Sequence, residues 1–424
     1  MNGNRFPAVT AAAANGRVLA DNAAGTQLPD SALERMQRYL AFDNAQRGAI
    51  FARPSATNAM VEQAIAEFAA VLGASETQVG VGANATSIAM SFSRLLASHV
   101  TRGDRVVVTA ADHEANIAPW VWLRRFGCQV DVVPVDAHGD LDEAKYRAFL
   151  DRAPVLVALP WASNATGTVF DVGRLAKMAK AARATVVVDG VQALPHFALE
   201  IDPAIDFAFF SAYKMYAPHI GFWYASRYVL DRFVRTDDAR PAGTDARHWT
   251  LECGTQSYEA LAGWLGTMSY LRDLAAMPRL ALELIARNEL ELSAYACTKF
   301  AERAPRLRLY GRPPTATRLP VFAFNVEGMP SDELAERFEA AKIEARVGDY
   351  YAPRLMTRLS PETNGRAVRL SFVHYNTEAD IDRCFEVIDR ALRGAAPETE
   401  PTLPITQAES ETEAAQDRAE VYGR

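Results

Sequence analysis

The 424-residue sequence predicts an α/β domain built on a mainly parallel sheet of about seven strands, followed by a smaller α+β domain. Three observations lead there. Between residues 78 and 226, short β-branched runs alternate with stretches of helical periodicity, the pattern of strand–helix–strand units. The runs are continuously apolar, as strands covered on both faces must be. Beyond residue 257 the pattern changes to long helical stretches, then to short strands among loops rich in Pro and Gly, such as GRPPTATRLP.

The elements follow in order. Strand candidates are QVGVGA (78–83), RVVVTA (105–110), QVDVVPV (129–135), VLVALP (155–160), TVVVDG (185–190), FAFFSA (207–212) and GFWYAS (221–226). Helical periodicity separates most of them, as over 172–184. A helical region spans 257–303, broken at Met277-Pro278. Then come the strands LRLYG (307–311), VFAFNVE (321–327) and AVRLSF (367–372), and helices over 331–343 and 378–392. The expected division is an N-terminal segment (1–20) packing on the small domain, a large domain (21–285), a small domain (286–395) and an acidic tail (396–424). No internal repeat is visible.

Composition narrows the function classes. Apolar types make up 49% and charged types 23%, ordinary for a folded soluble chain. The net charge is −7, but residues 397–424 hold seven acids and two bases. The tail therefore carries −5 and the rest −2. Such a body offers no electrostatic footprint for nucleic acid. The tail, rich in Glu, Thr, Ala and Pro, reads as disordered, either a solubiliser or a partner-binding segment. No apolar run reaches the roughly 18 residues of a membrane span. The first residues lack the basic and apolar regions of a signal peptide. Cys128, Cys253, Cys297 and Cys384 are widely spaced, which suggests no disulfide framework and no metal site, and suits the cytoplasm.

Open α/β sheets bind ligands beyond the carboxyl ends of their strands. After QVGVGA comes Asn84-Ala85-Thr86-Ser87, opening a helix to about residue 98. Small residues and hydroxyls at a helix N-terminus can cradle a phosphate, although plain capping looks the same. Asp189 ends a buried strand, where a carboxylate is costly without a partner. Lys214 lies between two apolar strands, and lysine is rarely buried. A buried lysine has a lowered pKa and suits Schiff-base chemistry. Cradle, Asp and Lys in that order match the needs of pyridoxal 5'-phosphate (PLP).

Several ordered segments extend this match: DNAAGTQ (21–27), DHEANIAPW (112–120), SNATGT (163–168), VDGVQALPH (188–196), SAYKMYAPHIG (211–221), ECGT (252–255) and VRLSFVHYNTEADIDR (368–383). With them the chain resembles class V aminotransferases among the fold-type I PLP enzymes. Within these it is most similar to the SufS-type cysteine desulfurase-like subgroup. The resemblance covers residues 5 to 394 or so. It implies that Lys214 is the aldimine lysine and proton shuttle, Asp189 the pyridinium partner, and His113 the ring that stacks on the cofactor. Gln192 would donate to the phenolic oxygen, with Asn164 near that oxygen and the substrate carboxylate. Ala83, Asn84 and Ser211 match phosphate positions. Thr255 matches a phosphate contact from the neighbouring subunit of a homodimer. Arg369 matches the arginine that grips the α-carboxylate.

The sequence also departs from the family. Desulfurases carry a persulfide-forming Cys in a loop resembling R-x-G-x-x-C-A. Here the stretch is RVGDYYAP (346–353), with Tyr351 at the cysteine position. A phenol cannot form a persulfide. Cys253 adjoins Gly254-Thr255, but reads as a small packed hydrophobe. Tyr213 stands where many relatives have His. The expected activity is PLP chemistry on an amino acid through an external aldimine and a quinonoid. The likeness to sulfur-handling enzymes points to a C–S lyase acting by β-elimination. Transamination, epimerisation or racemisation, and a non-catalytic PLP-binding protein stay as alternatives. A nucleotide-binding oxidoreductase is disfavoured because GVGANATS lacks the GxGxxG order.

Overall fold

The structure, a computed structural model, describes residues 3–48, 50–234, 251–252 and 254–394. The expected tail (396–424) and Cys253 lie outside these residues. After β1 (Val18–Leu19), the chain forms β2 (Val79–Gly82), β3 (Arg105–Thr109), β4 (Gln129–Val133), β5 (Leu156–Pro160), β6 (Thr185–Asp189), β7 (Phe207–Ser211) and β8 (Gly221–Ala225). Strands β2 to β8 make one seven-stranded sheet in the order β2-β8-β7-β6-β5-β3-β4. All seven apolar runs are therefore strands of a single sheet.

Only β8 runs against its neighbours, β2 and β7. The cause is local. The connection 212–220 is shorter than the roughly twelve residues a parallel crossover needs, so the chain must turn back. That turn carries Lys214. Successive residues of β7 feed opposite layers. Phe207 stacks on Phe92 at 4.0 Å on one face, and Phe210 meets Phe68 at 5.4 Å on the other. This two-sided burial explains why the runs are continuously apolar.

The carboxyl ends of β5, β6 and β7 stand side by side: Pro160 pairs with Asp189, and Asp189 with Phe209. Ser211 pairs with Gly221 in β8. A Cβ on Gly221 would come within 2.7 Å of the Asn84 backbone carbon, so a glycine is required for β8 to lie this close to the turn after β2.

Two helices, Tyr258–Leu274 and Pro278–Glu302, flank the expected break, and Pro278 opens the second, where a missing N–H costs nothing. The second runs unbroken through residue 285. A second sheet contains β9 (Leu307–Leu309), β10 (Val321–Val326), β12 (Arg346–Gly348) and β13 (Ala367–Ser371), antiparallel throughout in the order β12-β13-β10-β9. The short β11 (Ile343–Glu344) pairs in parallel with β1. Neither β11 nor β12 was expected, being short and largely polar. The helix expected over 331–343 ends at Ala340, and Lys342, at φ 59°, turns the chain into β11. Cys128 lies one position before β4. Among the described residues no helix is long and apolar enough to cross a membrane.

Candidate active site

Lys214 ends a short helical turn directly after β7 and is 7% exposed. Its amine makes no hydrogen bond among the described residues. Burial pushes its pKa below the ordinary lysine value, and the charge of Arg369 pushes the same way, while Asp189 opposes them. Asp189, the last residue of β6, is 9% exposed and accepts the Val191 N–H at 2.9 Å. Burial raises its carboxyl pKa, against that hydrogen bond and the Lys214 charge.

A cavity at these strand ends is walled by Lys214, Asp189, Gln192, Asn164, His113 and Ser211. Six of the expected site residues, from four separate segments of the chain, therefore meet in one place. Arg369 faces an adjoining cavity that shares Lys214, His113 and Asn164 with the first and adds Arg346, Tyr350 and Tyr351. Ala83 and Asn84 line a third, with Ser87 and Arg94, at the N-terminus of the helix Ala85–Ala97. Thr86 lines all three. Thr255 is exposed and lies on none of them.

The helix start is built as an anion site would be. Asn84 caps it by accepting the Ser87 N–H at 2.9 Å, and the Ala85 N–H reaches Ser211 Oγ at 3.4 Å. The helix dipole favours negative charge here. His113 accepts the Ala115 N–H on Nδ1 at 3.0 Å, so its ring proton sits on Nε2. Burial, with the charges of Lys214 and Arg369, lowers its pKa to about 4. The ring is therefore neutral near pH 7. It caps a turn and faces the cavity at once.

Arg369, on β13, is 2% exposed. It donates to Asn164 O at 2.9 Å and to Asp21 Oδ1 at 2.8 Å, with the Tyr350 ring 4.7 Å from its guanidinium carbon. Asn164 in turn donates to Tyr350 O at 2.8 Å. Tyr351 is 72% exposed, its ring 5.5 Å from that of His113. The Glu114 N–H donates to Tyr351 O at 2.8 Å, and Glu114 pairs with Arg354, which ties this loop to the His113 turn. Tyr213 stacks on His219 at 4.7 Å and lines the first two cavities.

Sequence reasoning gave no role to three residues here. Asp112 is fully buried beside His113 and accepts from Thr109 Oγ1 at 2.5 Å and Asn116 Nδ2 at 2.7 Å. Burial raises its pKa strongly. Asp21 and Tyr350 hold Arg369. Asp112 and Asp21 sit inside segments that match the family, which was their only signal.

These residues fit PLP. A buried amine without a hydrogen-bond partner suits the aldehyde carbon, a buried carboxylate suits the pyridine nitrogen, and a capped helix start suits the phosphate. Gln192 Oε1, buried and without a partner, marks a place for a polar ligand atom.

The sequence profile described as "Aminotransferase class-V" matches residues 18–384. The chain is 27% identical over 407 residues to an aminotransferase-like protein of Gibberella zeae, covering 92% of this chain and 97% of that one. It is 31% identical over 397 residues to a cysteine desulfurase of Enterobacter sp., covering 89% and 94%. In fold it is similar to the apo structure of a cysteine desulfurase from Thermococcus onnurineus, with a TM-score of 0.82 at 24% identity over 92% of this chain and 97% of that one. With the site geometry, these matches establish that the chain belongs to the class-V aminotransferase family, as a PLP-dependent enzyme of the cysteine desulfurase-like fold.

Proposed function

We propose that the enzyme acts on an amino acid with a free α-carboxylate and a sulfur substituent at Cβ, as a C–S lyase. The observation that carries this is the shared wall of the two inner cavities. The Lys214 amine and the Arg369 guanidinium face one space, with Asn164 and His113 common to both parts. One group can hold the carboxylate while the other works at the neighbouring carbon. Similarity to proteins named cysteine desulfurases supports a sulfur-bearing substrate.

The roles follow from the chemistry of each group. PLP would be held by Lys214 until the substrate amine displaces that lysine, and would then supply an electron sink next to Cα while freeing the Lys214 amine to act as a base. Asp189 keeps the pyridine nitrogen protonated. His113 lies against the ring as a neutral aromatic. Gln192 and Asn164 meet the phenolic oxygen. Ala83, Asn84 and Ser211 hold the phosphate, with Thr255 from a second copy in a homodimer. Arg369 binds the carboxylate, and Lys214 takes the Cα proton. The Cβ–S bond then breaks, and with water the products are a thiol or sulfide, ammonia and a 2-keto acid. Tyr351 stands at the cavity mouth where a persulfide route would need a thiolate, so sulfur leaves as a free product.

The test is a panel of amino acids with product analysis. Sulfide or thiol appearing with keto acid is expected. Amino-group transfer to a keto acid would replace the lyase by an aminotransferase, and inverted amino acid would replace it by an epimerase or racemase. No product from any member would favour a non-catalytic PLP protein.

A further inference from the structure

The cavity that Arg369 faces has two kinds of lining. Four charged side chains contribute to it: Lys214, Arg369, Arg346 and Glu114. Arg346 is paired with Asp21, and Glu114 with Arg354. Asp21 offsets one of the two arginines, and a substrate carboxylate would offset the other. No charge is then left for a second ionised group on the substrate. Much of the remaining lining is apolar: Met90 from the helix Ala85–Ala97, Ala115, Ala118 and Pro119 from the turns after His113, and the ring of Tyr351.

The position of Tyr351 is not explained by its own packing. Tyr350 and Tyr351 take φ values of 59° and 58°, the left-handed region that bulky residues rarely adopt. Hydrogen bonds hold this turn. The Tyr351 N–H donates to Asp349 Oδ1 at 3.0 Å, and the two tyrosine carbonyls accept from the Glu114 N–H and from Asn164 Nδ2, each at 2.8 Å. The Tyr350 ring is buried against Arg369, whereas the Tyr351 ring stays exposed on the cavity wall beside His113. Its hydroxyl has no hydrogen-bond partner among the described residues. A costly backbone that holds an exposed ring at a cavity points to a ligand as what the ring meets.

We propose that the substrate is an S-substituted cysteine whose sulfur carries an uncharged apolar group, and that Tyr351 selects it by packing on that group opposite Met90, Ala118 and Pro119. This rests on the reading of Arg369 and Lys214 as the groups that handle an α-amino acid. A bare thiol would leave these surfaces in water. A hydrocarbon on sulfur covers them, and the gain grows with the apolar area buried. Lys214 takes the Cα proton, and the Cβ–S bond breaks with its electron pair on sulfur. The departing thiolate takes up a proton, and water converts the remaining fragment to ammonia and pyruvate. No oxidant or reductant is consumed.

The test titrates the PLP-loaded protein with S-methyl-, S-ethyl- and S-propyl-L-cysteine. The visible PLP band reads binding, and keto-acid release reads turnover. Both affinity and kcat/KM are expected to rise about fourfold for each added methylene, the gain from burying one CH₂. L-Cysteine, compared by keto-acid release, is expected to be the poorest. S-Carboxymethyl-L-cysteine, close in size to the propyl compound, is expected to bind about tenfold more weakly than it, because its charge has no partner on this wall. Tyr351→Ala is expected to flatten the propyl-to-methyl ratio and Tyr351→Phe to keep it. A ratio taken within one variant is insensitive to how much of that variant folds. A flat alkyl series, or preference for the carboxymethyl compound, overturns the proposal, and an unchanged ratio in Tyr351→Ala overturns the role of Tyr351. If affinity rises along the series but no thiol or keto acid forms, the lyase reading fails and the apolar site stands. If keto acid forms equally well from L-cysteine, the lyase reading stands and this inference fails. If no member binds, both fall.

Discussion

Asp21 and Arg369 are 348 residues apart in the chain and 2.8 Å apart in space. Asp21 also accepts from Arg346 Nε at 2.8 Å. One carboxylate thus serves two guanidiniums at the edge of the cavity that Arg369 and Arg346 line, leaving one net positive charge among the three. A deeply buried arginine needs such a counter-charge. Arg369 Nε is still without a partner. The side chain is therefore held in place and charged, with capacity left for a substrate carboxylate.

Arg369→Ala is expected to spare PLP binding and to weaken amino-acid use. Removing one member of a buried charge pair costs roughly 3–5 kcal/mol, or about two to four powers of ten in binding or rate. Arg369→Lys should rescue little, because an ammonium lacks the planar fork. A spectral titration with substrate, run beside a thermal melt, is the check. A variant that melts normally and responds at wild-type concentrations would show that Arg369 does not bind the carboxylate.

Uptake of PLP by the apoprotein is expected to speed up as pH rises, because only the uncharged Lys214 amine attacks the aldehyde. Burial and Arg369 lower the Lys214 pKa, so the midpoint should lie below the ordinary lysine value of 10.5. Asp21 raises it. Asp21→Asn removes that negative charge and should carry the midpoint lower still. Stopped-flow absorbance over a pH series measures both. An upward shift in Asp21→Asn would contradict the charge arrangement.

Incubation with L-cysteine is expected to leave no persulfide on Cys128, Cys297 or Cys384. All three are buried, and burial raises each thiol pKa, which suppresses the thiolate. Mass spectrometry after turnover locates any added sulfur. A persulfide on Cys253 that supports steady turnover would make the chain a desulfurase with a relocated nucleophile.

In sedimentation the protein is expected to be a dimer. Thr255, matched to a phosphate contact, is exposed and apart from all three cavities of its own chain. A second copy would have to bring it there. A monomer that binds PLP tightly would refute the shared site.

The seven strands, the outlying lysine at 214 and the carboxylate at 189 were legible in the sequence because each is a local departure with a local cause. Burial on both faces forces an unbroken apolar run, and a charged residue inside such a run stands out. Short pieces such as β11 and β12 left no such mark. They bury too little on their own, and exist because β1 and β13 lie alongside.

Taken alone, the sequence determined the sheet, the family and most of the residues that meet in the cavity at the strand ends. Only the tertiary structure decided that Asp21 neutralises Arg369 and Arg346, and that Tyr350 lies against the Arg369 guanidinium. These are polar pairs between segments up to hundreds of residues apart. Sequence periodicity records whether a residue is buried, and nothing in it records which distant partner the packing of two sheets will bring within hydrogen-bond reach.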